Sequence, residues 1–532
     1  TNTTYTMIGS ADKYERLTRF AHHVLSEKYI IDKIDENKKL IESLKNPIFC
    51  SSSLREFDLY CAQTFMDNFL RGGYPVELGN RRHVFYVYSR KHGDLEREYN
   101  FFQIDATNFS QGNSNFRDVN QNRRNDVSFF PFTDDTNIKI FFNLLQLDGF
   151  NPLLLKGSRF KIEDIKALDK IILKYFCVSD SKAVREFLTM PFTPGGLLGF
   201  IEMKEICLTG GTLDEFLNDI LFVSSKEDMA EHQEGYWVDH WTYNSDLIEQ
   251  YLSVFPDKII DLLFDKSEFT YFDSAEFVAP RDKKYVLTNN GVRQLNSVVK
   301  IPEKEKMIKK RTVAANKVRI GSGKGEVYKC TLISKVICLI VNKIASLDPE
   351  GICVEMEANK PGWCDALNGL PAMFGSSINE SAEIKRLALV LLDIFDSYKI
   401  NADRRIKVPE EVFSFFKQIH NILTRDMSEY EYWDLSHKAK ENYRYNTIFG
   451  VSVKEEEIDI KTLAAFLNAV VAKIDRGLEK AYNSKSGVYY TYFINEVIDY
   501  KVITGDDSNP VRDKDGHTYV KPLKFEQRPI PY

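Results

Sequence analysis

The chain has 532 residues, a hydrophobic content of 43% and a formal net charge of −6, with a pI near 6.0. That composition is ample for a sizeable core, and its slight acidity excludes a global pull toward nucleic acid or acidic membranes. No stretch reaches ~18 consecutive apolar residues, so no membrane-spanning helix is expected.

In chain order, Leu17, Phe20, Ala21 and Val24, then Ile30, Ile31, Ile34 and Leu40, keep a 3.6-residue period. They predict a helix over 12–47, which Pro47 ends. A second helix is expected over 53–70, closing at Arg71-Gly72-Gly73. Residues 1–80 therefore read as an N-terminal helical and linker region, and 81–532 as the main domain. His83-Val-Phe-Tyr-Val-Tyr-Ser89 alternates like a strand. Residues 105–131 are dense in Asn, Gln, Arg and Asp, with Phe109, Phe116, Phe129 and Phe130 embedded. They form either a polar pocket wall, with Arg117, Asp118 and Gln121 as sugar-binding candidates, or a solvated loop.

From 136 onward the pattern is helical: 136–147, 163–176, 180–189, 212–223, 245–264, 331–347, 380–399, 409–424 and 458–483. Helices separated by long polar loops, without βαβ alternation, predict a mainly α, toroid-like fold with minor β elements. The eight cysteines are scattered, none at CxxC spacing. This favours a reducing, cytoplasmic setting.

Two loops gather three of the four tryptophans. One, 231–246, holds Trp237, Asp239, His240, Trp241 and Tyr243, with Asn244 or Ser245 as the expected cap of the next helix. His232, Asp239 and His240 lack HxxxH or HExxH spacing, so no metal is expected. The other, Glu355–Pro371, holds Glu355, Glu357, Trp363, Asp365 and Asn368 between Gly and Pro residues. Indole with carboxylate suits a sugar pocket, and a helix-capping loop is the alternative. Residues 300–329 are basic but carry no GxxxxGK[ST] spacing, and read as a solvated face. The Tyr-rich segment 484–496 ends at Glu496, a further candidate, and 517–523 looks strand-like.

Four segments carry a resemblance: Asn115-Phe-Arg-Asp-Val-Asn-Gln121, Gly235-Tyr-Trp-Val-Asp-His-Trp-Thr-Tyr243, Pro361-Gly-Trp-Cys-Asp-Ala-Leu-Asn-Gly-Leu-Pro371 and Gly487-Val-Tyr-Tyr-Thr-Tyr-Phe-Ile-Asn-Glu496. Together they resemble the cellobiose-phosphorylase-like family, the inverting β-glucan and β-glucoside phosphorylases, and its longer, poorly characterised branch above all. The resemblance implies an (α/α)6 toroid over 81–532, Asp365 as general acid, and Arg117 and Asp118 gripping the sugar in the −1 subsite. It implies inorganic phosphate as co-substrate and no cofactor. No segment before Tyr532 matches the family's phosphate-holding His and Thr-Gly residues. The chain is therefore expected to be either a segment of a longer polypeptide, holding an incomplete toroid, or a shortened relative that has lost phosphorolysis.

The expected partners are an oligosaccharide and phosphate, not nucleic acid or membrane, with the rest of the polypeptide or a second copy of the chain beside them. An inverting hydrolase with Glu496, Asp239 or Glu357 as base is one alternative. A non-catalytic carbohydrate-binding scaffold is another.

Overall fold

The structure is a computed structural model describing Thr18, Ala21 and residues 24–87, 108–362 and 364–530, with the backbone alone for Leu70 and Asp365. Trp363 lies outside the described residues. The chain divides into two compact units, Thr1–Leu70 and Arg71–Tyr532. In the first, α1 (Glu27–Lys45) is capped by Ser26, whose Oγ accepts from Tyr29 N at 3.2 Å. Pro47 sits in the short 3-10 turn that ends it. Helix α2 (Arg55–Gly72) starts in this unit.

The second unit opens with a hairpin, β1 (Tyr74–Leu78) and β2 (His83–Val87). Strand β3 (Ser114–Asn115) leads directly into α3 (Phe116–Arg123), where Asn115 Oδ1 accepts from Arg117 N at 2.9 Å. Two long strands, β4 (Leu154–Ile162) and β5 (Ser224–Glu231), complete an antiparallel three-stranded sheet with β3. Four helices lie between them: α4 (Ile165–Tyr175), α5 (Val178–Leu188), α6 (Pro194–Met203) and α7 (Leu213–Phe222). Leu168, Ile172, Val184, Leu197, Phe216 and Ile220 from these helices share one core with Phe85 and Phe160. Helix α7 starts in a full capping box, with Thr212 and Glu215 satisfying each other's backbone N–H.

The main core surrounds α9 (Leu332–Ile344), whose thirteen residues are all buried. It is packed by α8 (Tyr243–Val254), α10 (Ile378–Ser397), α11 (Glu410–Leu423), α12 (Glu429–Thr447) and α13 (Ile460–Ala481). A six-stranded antiparallel sheet stands beside these helices. Its order is β9 (Val354–Glu355), β11 (Ser376–Ser377), β12 (Tyr492–Val502), β13 (Thr518–Pro529), β7 (Tyr285–Thr288) and β8 (Gly291–Gln294).

This corrects the expectation of a mainly α toroid. Strand makes up 21% of the structure against 49% helix, and the six strands curl as a half-barrel. The reason lies in β12 and β13. They bury Tyr492, Phe493, Asn495, Val520 and Phe525 and leave interleaved Glu, Lys and Asp residues exposed. Half-buried alternation of that kind gives a weaker sequence signal than a helical stripe. The segment 245–264 is also shorter than expected. Helix α8 ends at Val254, and its N-cap is Thr242, with no side-chain cap from Asn244 or Ser245. Among the described residues no helix is long and apolar enough to cross a membrane.

Candidate functional site

Two of the loops singled out by their tryptophans run side by side. Asn359–Lys360 (β10) pairs in parallel with Tyr236–Trp237 (β6), and Val238 N reaches Pro361 O at 3.4 Å. Gly362 lies against Asp239: a Cβ built there would stand 3.7 Å from Asp239 Cγ. The N-terminus of α3 brings in the third segment. The Arg117 guanidinium reaches Asp118 at 3.4 Å, and Asn120 Nδ2 donates to Asn244 Oδ1 at 2.7 Å. Burial opposes the charge on Arg117, but Asp118 and then Asp239 outweigh it and hold its pKa above the ordinary value.

His240 is buried between two rings, stacked on Phe116 (6.0 Å, 5°) and on Trp237 (5.8 Å, 7°). Burial, then the charge of Arg117, holds its imidazole well below the usual range, so it stays neutral. Tyr243 is raised by burial and then by Asp239.

Glu380, the third residue of α10, also acts on Tyr243 electrostatically. Its side chain is buried, and its Oε2 has no hydrogen-bond partner. Burial pushes its carboxyl up. Sequence reading missed Glu380. The Ser377-x-x-Glu380 spacing signals a capping box, yet Ser377 makes no side-chain cap, so the spacing misleads. Asp246 joins the supports: its carboxylate accepts from Arg124, just past α3, and from Arg386 of α10, each at 2.7 Å.

A buried polar cluster holds the strand that leads into the Asp365 loop. Trp433, His437, Lys440 and Arg444 follow i, i+4, i+7, i+11 spacing along α12, so one helical face presents all four. Opposite them stand Glu355 and Glu357. Trp433 Nε1 donates to Glu355 Oε1 at 2.7 Å, and His437 Nε2 meets Oε2 at 2.8 Å. His437 Nδ1 faces the Trp433 carbonyl at 3.0 Å and donates to it, which leaves Nε2 as an acceptor. Glu355 therefore carries a proton, consistent with burial pushing its carboxyl up to about 7. Glu357 is the opposite case. Burial is outweighed by Arg444, Lys440 and Lys284, which hold it well below the usual range. Gln294 Nε2 donates to both Met356 O (3.0 Å) and Pro371 O (3.1 Å), closing the two ends of the loop.

The expected site residues thus separate. Arg117, Asp118 and Asp239 come together beside the backbone of the Asp365 loop. The backbone of Asp365 opens the 3-10 turn Asp365–Leu367; its side chain, like Trp363, is outside the description. Trp237 is covered by His240 on one face, and Lys360 Nζ lies 5.3 Å from its ring. Trp241 is buried in the main core under Lys343 Nζ. Both indoles are buried. Glu357 sits within the charge cluster, against Lys284, Lys440 and Arg444. Gln121 and Asn368 are exposed. Glu496 is exposed on β12, where it pairs with Arg528 at 2.9 Å, not with the loops.

His232, Asp239 and His240 form no ligand group. Among the described residues, the cluster whose ligand atoms gather within 4.8 Å is Asp513, Asp515 and His517. Asp513 accepts from the backbone N–H of both partners and meets His517 Nδ1, so the turn's own hydrogen bonds account for the cluster. The basic segment is not simply a solvated face either. Arg311 bonds Asp273 and the carbonyls of Ala315, Lys317 and Gly323, and so folds its own loop.

A scan of the chain against protein-family models finds no match, and a search of curated proteins finds none.

Proposed function

We propose that the chain belongs to a phosphate-dependent glycoside-cleaving enzyme related to the cellobiose-phosphorylase-like family. It acts on β-linked gluco-oligosaccharides in the cytoplasm, with inversion. The observation that carries this reading is the meeting of Arg117, Asp118 and Asp239 beside the loop that presents Asp365. A guanidinium beside a carboxylate offers the paired donors and acceptors that adjacent sugar hydroxyls need.

In the proposed reaction Asp365 gives its proton to the glycosidic oxygen as the bond to C1 breaks. A phosphate oxygen bonds C1 from the opposite face, giving a sugar 1-phosphate and a shortened oligosaccharide. No cofactor enters this chemistry. The described cysteines form no disulfide, which agrees with a reducing compartment.

Hydrolysis is the second reading, favoured by one observation: Glu380, a buried carboxyl with a free oxygen, is in electrostatic reach of Tyr243. A base of that kind would activate water. The test is incubation with laminari-, cello- and sophoro-oligosaccharides, with and without phosphate. Sugar 1-phosphate release supports phosphorolysis. Glucose release without phosphate supports Glu380 as base. No turnover in either condition, with sugar binding retained, overturns both and leaves a binding scaffold.

A further inference from the structure

A cleft about 410 Å³ in volume opens where β4 and β5 meet the loop 311–317. That is within the range of small-molecule sites. It lies some six residues along β4 from the end that pairs with Asn115, or about 20 Å at strand spacing. Cations outnumber acids along it: Arg159, Lys161, Lys226, Arg311 and Lys317 face Glu163, Glu227 and Asp228.

Two of these cations are already committed. Arg311 is held by Asp273, and Lys226 donates to Val84 O at 3.0 Å and stands 3.5 Å from Asp228. Asp228 is further satisfied by Ser158 Oγ, at 2.6 Å. Arg159, Lys161 and Lys317 hold no ion pair among the described residues. Arg159 Nη2 lies 3.0 Å from the Met229 sulfur, a weak acceptor, and Glu227 is its cross-strand neighbour. Arg159 and Lys161 are two apart on a strand, so they share one face, while Phe160 and Ile162 turn into the core. Lys317 approaches from the other wall. That wall is fixed by the four hydrogen bonds of Arg311 and by a left-handed residue at Ala314 (φ 46°).

We infer that this cleft binds a phosphate monoester, with the phosphoryl oxygens taken by Arg159, Lys161 and Lys317. With Asp228 taken by Lys226 and Ser158, the three cations Arg159, Lys161 and Lys317 outnumber the remaining acids of the cleft, Glu163 and Glu227, and this positive balance suits an anionic ligand. A guanidinium fork matches tetrahedral phosphoryl oxygens. Val313, Ala314 and Pro191 supply an apolar ledge for the organic body of the ligand. The site does not depend on the glycoside reading.

The test is equilibrium dialysis of the full chain against glucose 6-phosphate, with glucose and inorganic phosphate as competitors. Saturable binding is expected, displaced by phosphate and not by glucose. Arg159→Gln combined with Lys317→Gln is expected to weaken it by roughly tenfold or more, while Arg117→Met leaves it unchanged. Neither Arg159 nor Lys317 holds an ion pair, so the double variant is expected to keep the wild-type thermal midpoint. As a second measurement, pyridoxal 5′-phosphate trapped with borohydride is expected to label Lys161 or Lys317, and glucose 6-phosphate to suppress that labelling. Absence of saturable binding, loss only in Arg117→Met, or labelling confined to other lysines overturns the site.

Discussion

Arg444 grips Glu357 through two hydrogen bonds, 2.6 Å and 2.9 Å long, with both side chains buried. Lys440 adds a third contact at 3.1 Å. Breaking a buried pair by removing one partner costs about 3–5 kcal/mol, because the remaining charge stays out of water. Arg444→Met is therefore expected to lower the unfolding free energy by that amount in urea titrations. A loss below about 1 kcal/mol, as for exposed pairs, would mean that water screens the cluster.

Asp365→Asn removes the proposed proton donor and keeps its size. Turnover of any cleaved oligosaccharide is expected to fall by ~10²–10⁴-fold, with sugar affinity by calorimetry nearly unchanged. A variant of undiminished rate would sink the assignment of Asp365.

Arg117→Met tests the other half of the site. The guanidinium contacts Asp118 at 3.4 Å and is influenced electrostatically by Asp239, and a hydrogen bond to a charged group contributes about 1.5–3 kcal/mol. Sugar affinity is expected to drop by roughly tenfold or more, while Asp118 and Asp239 are left facing one another. Unaltered affinity in calorimetry would make Arg117 a structural residue only.

Glu355 gives a pH dependence with a definite sign. Its folded carboxyl is raised from 4.5 to about 7, chiefly by burial. The folded state thus holds this proton more tightly than the unfolded chain. The stability it contributes is complete below the unfolded value of 4.5 and is lost as pH rises through about 7. Glu355→Gln keeps an acceptor for Trp433 and a donor for His437 without the titration. The urea midpoint of this variant is expected to change less than that of wild type between pH 4.5 and 8. Parallel curves for the two proteins would assign the pH dependence to other groups.

Helices with an apolar stripe were legible in the sequence, and α4, α7, α9, α11 and α13 lie close to where the 3.6-residue period places them. Helix α12 was not, because polar and charged residues, His437, Lys440 and Arg444 among them, interrupt its buried face, and periodicity searches count apolar residues. Helix α3 was hidden for the same reason within the Asn- and Arg-rich segment. Residue type drew attention to Arg117, Asp118 and Asp239. For Trp237 it leaves the stacking partner open, since an indole beside a carboxylate looks alike whether a sugar or a histidine stacks on it. Glu355 and Glu357 are two residues apart in the sequence but meet different partners, so only tertiary structure separates their charge states. Glu380 was missed because a buried acid in the first turn of a helix looks like a cap.

The parallel pairing of Tyr236–Trp237 with Asn359–Lys360 also bears on how the protein acquires its site. The two strands come from distant parts of the chain, so closing that contact carries a large loop entropy, repaid only once α8, α9 and the sheet have assembled around it. This pairing is thus expected to be among the last features to form in folding and among the first to open under mild denaturant. Protease nicking in the loop 359–371 at low urea would then precede loss of helical signal.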